Sequence, residues 1–262
     1  MKSIEIYQID AFTDQIFGGN PAAVCPLEEW LDDNLLQDIA MENNLSETAF
    51  YVMNGDHYEI RWFTPTTEVD LCGHATLATA FVEFNLKGVS TDELTFKSKS
   101  GDLKVTREGE NLCLDFPIDK LEKVDLTQEM LRPFQSKPIA AYRGKDDLLL
   151  VFESDQEILD MTPSIDLISK IDTRGVLVTA KGTDCDFVSR FFAPQSGIDE
   201  DPVTGSAHTT LIPYWSEQLN KVKLSARQLS KRGGKLECEK LNNERVKISG
   251  QAKLFLKGEI LL

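Results

Sequence analysis

In this chain of 262 residues, three features have the types and spacing to do chemistry: a carboxylate in apolar surroundings, two acid-rich loops that run into helix starts, and a histidine at one of those starts. Glu47 lies in Asn43-Asn44-Leu45-Ser46-Glu47-Thr48-Ala49-Phe50, between a helical pattern and a hairpin strand. A carboxyl group in an apolar lining has a raised pKa and can act as general acid or base. The same position also suits a helix-cap or turn acid facing solvent, and both readings stand at this point. His74 follows Cys72-Gly73, where an imidazole could contact a bound ligand and relay or donate a proton near neutral pH. His57, beside the Asn54-Gly55 turn, reads as solvent-facing, and His208, one turn into a second helix, is ambiguous.

The two loops are Glu68-Val69-Asp70-Leu71-Cys72-Gly73-His74-Ala75-Thr76 and Asp199-Glu200-Asp201-Pro202-Val203-Thr204-Gly205-Ser206-Ala207-His208. Free backbone N–H groups at a helix N-terminus bind anions, and glycine lets a ligand approach the backbone closely. Two such starts facing one another would clamp the carboxylate of a small metabolite lying between two lobes. The competing reading is plain helix capping by Asp70 or Thr204. Gly18-Gly19-Asn20-Pro21-Ala22-Ala23-Val24 matches neither a dinucleotide nor a P-loop pattern, and its Asn20 side chain suits orienting a ligand. The histidines show no HxH or HExxH spacing and the cysteines no CxxC pair, so neither metal nor cofactor is expected. Lys231-Arg232-Gly233-Gly234 reads as a second anion contact or simply as a hairpin turn.

These groups need a scaffold, and the chain compared with itself suggests one. Arg61-Trp62-Phe63-Thr64-Pro65 recurs as Arg190-Phe191-Phe192-Ala193-Pro194, an offset of 129 residues, close to half the chain. Each copy is preceded by a hairpin pattern and followed by a helical one, over 74–85 and 206–218. By the same offset Glu47 corresponds to Val176 and Cys72 to Asp201. Period-two alternation marks strands at Ile4–Ile9, Phe50–Met53, Tyr58–Phe63, Leu94–Lys97, Leu103–Thr106 and Leu112–Phe116. The first helix has little polar surface and should be buried, with a curved sheet wrapped around it. The expected fold is α+β: two pseudo-symmetric lobes, each a curved antiparallel or mixed barrel-like sheet around a central helix. The lobes are expected at 1–117 and 118–262, with the last strand, Gln251–Leu262, free to return to either.

Composition narrows the partners. A formal charge of −15 argues against nucleic acid, whose phosphates need a basic surface. No apolar run approaches a membrane span, and the N-terminus lacks a signal-peptide pattern. Five widely spaced cysteines read as those of a reduced, cytoplasmic protein.

Taken together, Gly19-Asn20-Pro21-Ala22-Ala23-Val24, Asn44-Leu45-Ser46-Glu47-Thr48-Ala49-Phe50, Phe63-Thr64-Pro65, Cys72-Gly73-His74-Ala75-Thr76 and Glu200-Asp201-Pro202-Val203-Thr204-Gly205-Ser206-Ala207 resemble the phenazine-biosynthesis PhzF-like family, essentially from end to end. That family shares its two-lobed fold with diaminopimelate epimerase and proline racemase. The resemblance implies a cofactor-independent isomerase, typically homodimeric, that moves a proton within a small unsaturated or cyclic carboxylated metabolite. It carries the proton-moving glutamate onto Glu47, and catalytic roles onto His74 and Asp201. Backbone groups of Gly73, Gly205 and Ser206 would hold the substrate carboxylate, with Asn20 and Ser46 as further substrate contacts. The rival readings are a non-catalytic small-molecule or protein-interaction role on the same fold, and an epimerase, racemase or thiol-dependent hydrolase using Cys72. A hydrolase lacks a GxSxG elbow here, and a two-thiol racemase would need a second cysteine opposite Cys72.

Overall fold

Alternating apolar residues build most of this protein as strands, in a computed structural model that describes residues 3–262. The chain runs β1 (Ser3–Ala11), β2 (Asn20–Leu27), α1 (Asp33–Asn43), β3 (Glu47–Asn54), β4 (His57–Phe63), β5 (Glu68–Val69), α2 (Gly73–Phe81), β6 (Glu93–Ser98), β7 (Gly101–Glu108) and β8 (Asn111–Pro117). It continues through β9 (Glu122–Val124), α3 (Gln128–Leu131), β10 (Ala140–Arg143), β11 (Asp147–Val151), α4 (Asp155–Leu159), α5 (Ile165–Ile168) and β12 (Gly175–Lys181). The remaining elements are β13 (Phe187–Ala193), β14 (Ile198–Asp201), α6 (Gly205–Leu219), β15 (Lys223–Gln228), β16 (Gly234–Lys240), β17 (Arg245–Gly250) and β18 (Ala252–Leu261). The fold is α+β, with two sheet-centred units. One comprises the chain up to Asp115 together with Ser249–Leu262, and the other Phe116–Ile248. The last strand, whose lobe the sequence left open, pairs antiparallel with β1 from Ser3↔Leu261 to Ala11↔Ala252. Among the described residues no helix is long and apolar enough to cross a membrane.

In the first unit β1 pairs antiparallel with β2, β2 runs parallel to β3, and β3–β4 closes a hairpin. Every residue of α2 from Gly73 to Ala80 is buried. The helix packs on β1, β2, β3, β7 and β18, so the sheet curves around it. Beyond Phe81 the backbone continues as a π-helical turn, Val82–Leu86, which accounts for the longer helix read from the sequence. Here Glu83 is buried, and its carboxylate accepts hydrogen bonds from Tyr51 Oη at 2.5 Å and Tyr58 Oη at 2.7 Å. These bonds satisfy an acid that would otherwise be costly inside a core. On the outer side of the sheet α1 lays Leu36, Ile39 and Ala40 against Cys25, Phe50 and Phe63.

In the second unit β12 pairs parallel with β11 and antiparallel with β13, while β13 also runs parallel to β15. The central helix α6 buries Ala207, Leu211, Ile212 and Trp215. Trp215 donates from Nε1 to Thr179 Oγ1 at 2.9 Å and stacks on Phe187.

The repeat reappears as matching chemistry. Arg61 grips Glu68 with Nε–Oε1 at 2.7 Å and Nη2–Oε2 at 3.0 Å, and Arg190 grips Glu200 through the same atoms at the same distances. Each guanidinium also lies over a ring two residues on, Phe63 at 5.1 Å and Phe192 at 5.0 Å. Each fork ties a hairpin strand to the loop that leads into the central helix, and so sets where that helix begins.

Two correspondences from the constant offset need correction. Phe63 pairs with Thr48 and Phe192 with Val176, so the residue equivalent to Glu47 is Gly175, not Val176. A Cβ at Gly175 would sit 2.3 Å from Phe191 Cζ, which leaves no room there for a second carboxylate. The 3₁₀ turn Pro194–Ser196 then adds three residues, taking the offset from 129 at the arginines to 132 at Glu68/Glu200. Cys72 therefore corresponds to Thr204, the residue just before the second helix, and not to Asp201.

The Glu68 fork carries a pH signature. Hydrogen bonds from Arg61, and then from Lys99, hold the Glu68 pKa down at about 2. A lowered carboxyl pKa gives stability that is complete above the ordinary carboxylate range and lost as pH falls toward the folded value. Solvent screening limits this to about 1 kcal/mol. Glu68→Gln is expected to lower stability by that amount at pH 7 and to converge with the parent near pH 2, as read by denaturant midpoints. Parallel curves across this range would disprove the assignment.

Candidate functional site

The first unit gathers four polar side chains at the start of α2. Asn20 opens β2, Glu47 opens β3, Cys72 precedes the helix and His74 is its second residue. The parallel register Ala22↔Glu47 sets β2 and β3 side by side. Gly19 has φ +61°, and a Cβ there would lie 2.0 Å from the Ala11 carbonyl oxygen, so only glycine allows the chain to enter β2 this way. The preceding loop is held from the core: the backbone N–H of Phe17 donates to Asp10 Oδ2 at 2.8 Å.

His74 is the hub. Its Nε2 lies 3.3 Å from Glu47 Oε2, and its Nδ1 lies 3.3 Å from Asn20 Nδ2 and 3.5 Å from Cys72 Sγ. Burial lowers the His74 pKa to about 3, so at neutral pH the ring acts as a neutral imidazole rather than a cationic acid. Asn20, Cys72 and His74 are buried, and the Glu47 side chain is 13% exposed. One donor atom each from Glu47, Cys72 and His74 lies within 4.8 Å of the others, a set of O, S and N donors that could hold a metal ion. This convergence was not legible in the spacing, since Glu47 is far from the other two along the chain.

No side chain caps α2: Cys72 makes no cap hydrogen bond. Thr76 Oγ1 and the Thr76 N–H both turn to the Cys72 carbonyl oxygen, at 2.6 and 3.2 Å. Elsewhere Asp32 caps α1 and Ser154 forms a capping box on α4, so the bare start of α2 is a local choice. Capping by Asp70, the bland reading of this loop, is not what the structure contains.

The second unit has a bare start too. Thr204 makes no side-chain cap on α6. Its hydroxyl donates instead to Asp201 Oδ2 at 2.5 Å and accepts from Gln228 Nε2 at 3.1 Å. Gln228 also accepts from the Thr204 N–H at 2.9 Å and donates to the Asp201 carbonyl at 2.8 Å, which braces the loop. Gly205 is buried, and Ser206 Oγ lies 3.4 Å from Arg174 Nη2. Arg174 grips the buried Asp147 through Nε and Nη2. Sequence reading missed both Arg174 and Gln228. Neither lies in a motif, and only the buried Asp147, inside the run Asp147-Leu148-Leu149-Leu150, hinted at a cationic partner.

The other candidates fall away from these clusters. His57 pairs with Asp56 at 3.0 Å on the β3–β4 turn. His208 is buried with Nδ1 2.8 Å from the Thr204 carbonyl oxygen, which braces the first turn of α6. Ser230 Oγ donates to Pro202 O and accepts from the Gly233 N–H, so Lys231-Arg232-Gly233 belongs to a turn that supports the Asp201 loop. Ser46 directly precedes Glu47 and is half-buried.

Residues 9–258 match the model of the phenazine biosynthesis-like protein family. A protein described as an uncharacterized isomerase from Pseudomonas aeruginosa is 49% identical over 259 residues, covering 99% of each chain. The crystal structure of a phenazine biosynthesis protein of the PhzF family from Enterococcus faecalis is 50% identical, with a TM-score of 0.97 over 100% of both chains. A phenazine biosynthesis PhzC/PhzF protein from Clostridium difficile is 45% identical with a TM-score of 0.93, covering 99% of this chain and 100% of that one.

Proposed function

This chain belongs to the phenazine biosynthesis-like (PhzC–PhzF) family, and from that premise we propose that it is an isomerase that moves a proton within a small unsaturated or cyclic carboxylated metabolite, using its own side chains. The observation that carries this reading is the buried cluster of Glu47, His74 and Cys72 at the uncapped start of α2. A carboxylate there can take a proton from a carbon next to an unsaturated or carbonyl-bearing system and return it at another carbon. Negative charge that develops on the substrate meets the backbone N–H groups of the helix start.

In this reading Glu47 is the shuttling base and acid. Neutral His74 lies against its carboxylate and holds substrate rather than supplying charge. The family resemblance assigns a catalytic role to Asp201, which is fixed by Thr204, and substrate-carboxylate contacts to Gly73, Gly205 and Ser206. Asn20 and Ser46 are assigned as supporting contacts. The absence of a second cysteine at the equivalent helix start, where Thr204 stands, disfavours a two-thiol racemase. Family resemblance further supports a homodimer, the five widely spaced cysteines support a reduced, cytoplasmic protein, and the net charge of −15 supports a small-molecule rather than nucleic-acid partner.

The test is proton exchange. Candidate unsaturated and cyclic carboxylates incubated with the enzyme in deuterium oxide should gain deuterium at carbon, followed by NMR. A ligand that binds in the same assay yet never exchanges or isomerises would instead indicate a binding protein on this fold.

A further inference from the structure

His74 presents its two ring nitrogens to chemically different neighbours. Nδ1 faces Asn20 Nδ2 at 3.3 Å and Cys72 Sγ at 3.5 Å, while Nε2 faces Glu47 Oε2 at 3.3 Å. An amide NH₂ only donates, a thiol donates or accepts weakly, and a carboxylate only accepts. A neutral imidazole has one N–H and one lone pair, and the partner of one nitrogen decides where the proton sits on the other. A proton on Nδ1 would set N–H against N–H at Asn20 and leave the Nε2 lone pair facing a carboxylate oxygen.

We infer that Asn20 is a positioning residue that sets the tautomer of His74, donating to Nδ1 so that the ring proton resides on Nε2, the nitrogen 3.3 Å from Glu47 Oε2. Asn20 is well placed for this. It is fully buried, it is registered opposite Ala11 on β1, and Gly19 gives it no freedom to back away. Cys72 Sγ lies beside the same nitrogen and can donate to it or accept from it, so the direction is left to Asn20. The functional meaning rests on the acid/base role proposed for Glu47. His74 Nε2 makes no hydrogen bond in this arrangement, so a proton placed there is a donor offered to a substrate held beside Glu47.

The tautomer is a property of the free protein, so its test needs no substrate and stands or falls apart from the isomerase reading. Protein labelled with ¹⁵N at histidine would be studied by long-range ¹H–¹⁵N correlation, which separates a protonated ring nitrogen from a bare one. His208 supplies an internal reference. Its Nδ1 faces the Thr204 carbonyl oxygen at 2.8 Å, an acceptor only, so its proton sits on Nδ1. The expected spectrum shows His74 and His208 as neutral rings of opposite tautomer. Asn20→Asp, which replaces the donor with an acceptor, should move the His74 proton to Nδ1 and leave His208 unchanged. Asn20→Ala, with Cys72 as the remaining neighbour of Nδ1 and able to donate or accept, should give His74 as a mixture of both forms. A parent protein with His74 protonated on Nδ1 overturns the inference even if both variants fail to fold. So does a His74 signal unchanged in the two variants.

Discussion

Glu47→Gln is expected to lower the rate of solvent-deuterium incorporation by about 10²- to 10⁴-fold, the usual contribution of a positioned general base. The substitution is nearly isosteric, and the Gln oxygen can still face His74 Nε2, now 3.3 Å from Glu47 Oε2. Thermal midpoint and ligand affinity should therefore stay close to those of the parent, which separates lost chemistry from lost structure. Glu47→Asp retains the carboxylate but draws it back by one methylene. Misplacing a catalytic group by about 1 Å can cost on the order of 10²-fold, so this variant should fall between the parent and Gln. Exchange in Glu47→Gln at the parent rate would remove Glu47 from the mechanism.

The second large effect lies in the backbone. Gly19→Ala places a methyl 2.0 Å from the Ala11 carbonyl oxygen and 2.9 Å from Thr13 Cγ2, at a φ of +61°. The left-handed conformation alone costs a residue with a side chain about 1 kcal/mol or more. The backbone clash adds to this, because Ala11 is paired with Asn20 across the β1–β2 ladder and cannot yield without opening it. A total loss of about 3 kcal/mol or more is expected, roughly 6–12 °C in Tm for a chain of this size. Gly55 is the control: its φ is +67°, yet nothing lies within 4 Å of a Cβ built there. Gly55→Ala should show the conformational cost alone, about 1 kcal/mol. Equal losses in the two variants would mean that the Ala11 contact relaxes freely. Because Asn20 follows directly, Gly19→Ala should also disturb the His74 ring signals, whereas Gly55→Ala should not.

Strand periodicity was readable because it depends on local alternation, and all six strands expected by that pattern lie within β1, β3, β4, β6, β7 and β8. The buried helix was readable because Gly73–Ala80 offers almost no polar face. Equivalence between the halves was readable only where the chain carries no insertion. The 3₁₀ turn Pro194–Ser196 breaks the constant offset just before the second helix, and a one-residue difference in strand pairing moves the counterpart of Glu47 to Gly175. A sequence offset cannot register either change, since ladder register is decided by which hydrogen bonds form between strands.

The sequence by itself determined the elements, the doubled pattern and which residue types stand beside the helix starts, because each follows from near neighbours in the chain. Tertiary structure alone decided which of these groups meet. Asn20 reaches His74 across 54 positions, and Gln228 braces Thr204 across 24. It also decided that neither Cys72 nor Thr204 caps the helix that follows it, since a cap depends on the direction a hydroxyl or thiol takes and not on its presence before the helix. Burial completes the distinction: the lowered pKa of His74 arises from the sheet folded around it, a property that no run of neighbouring residues encodes.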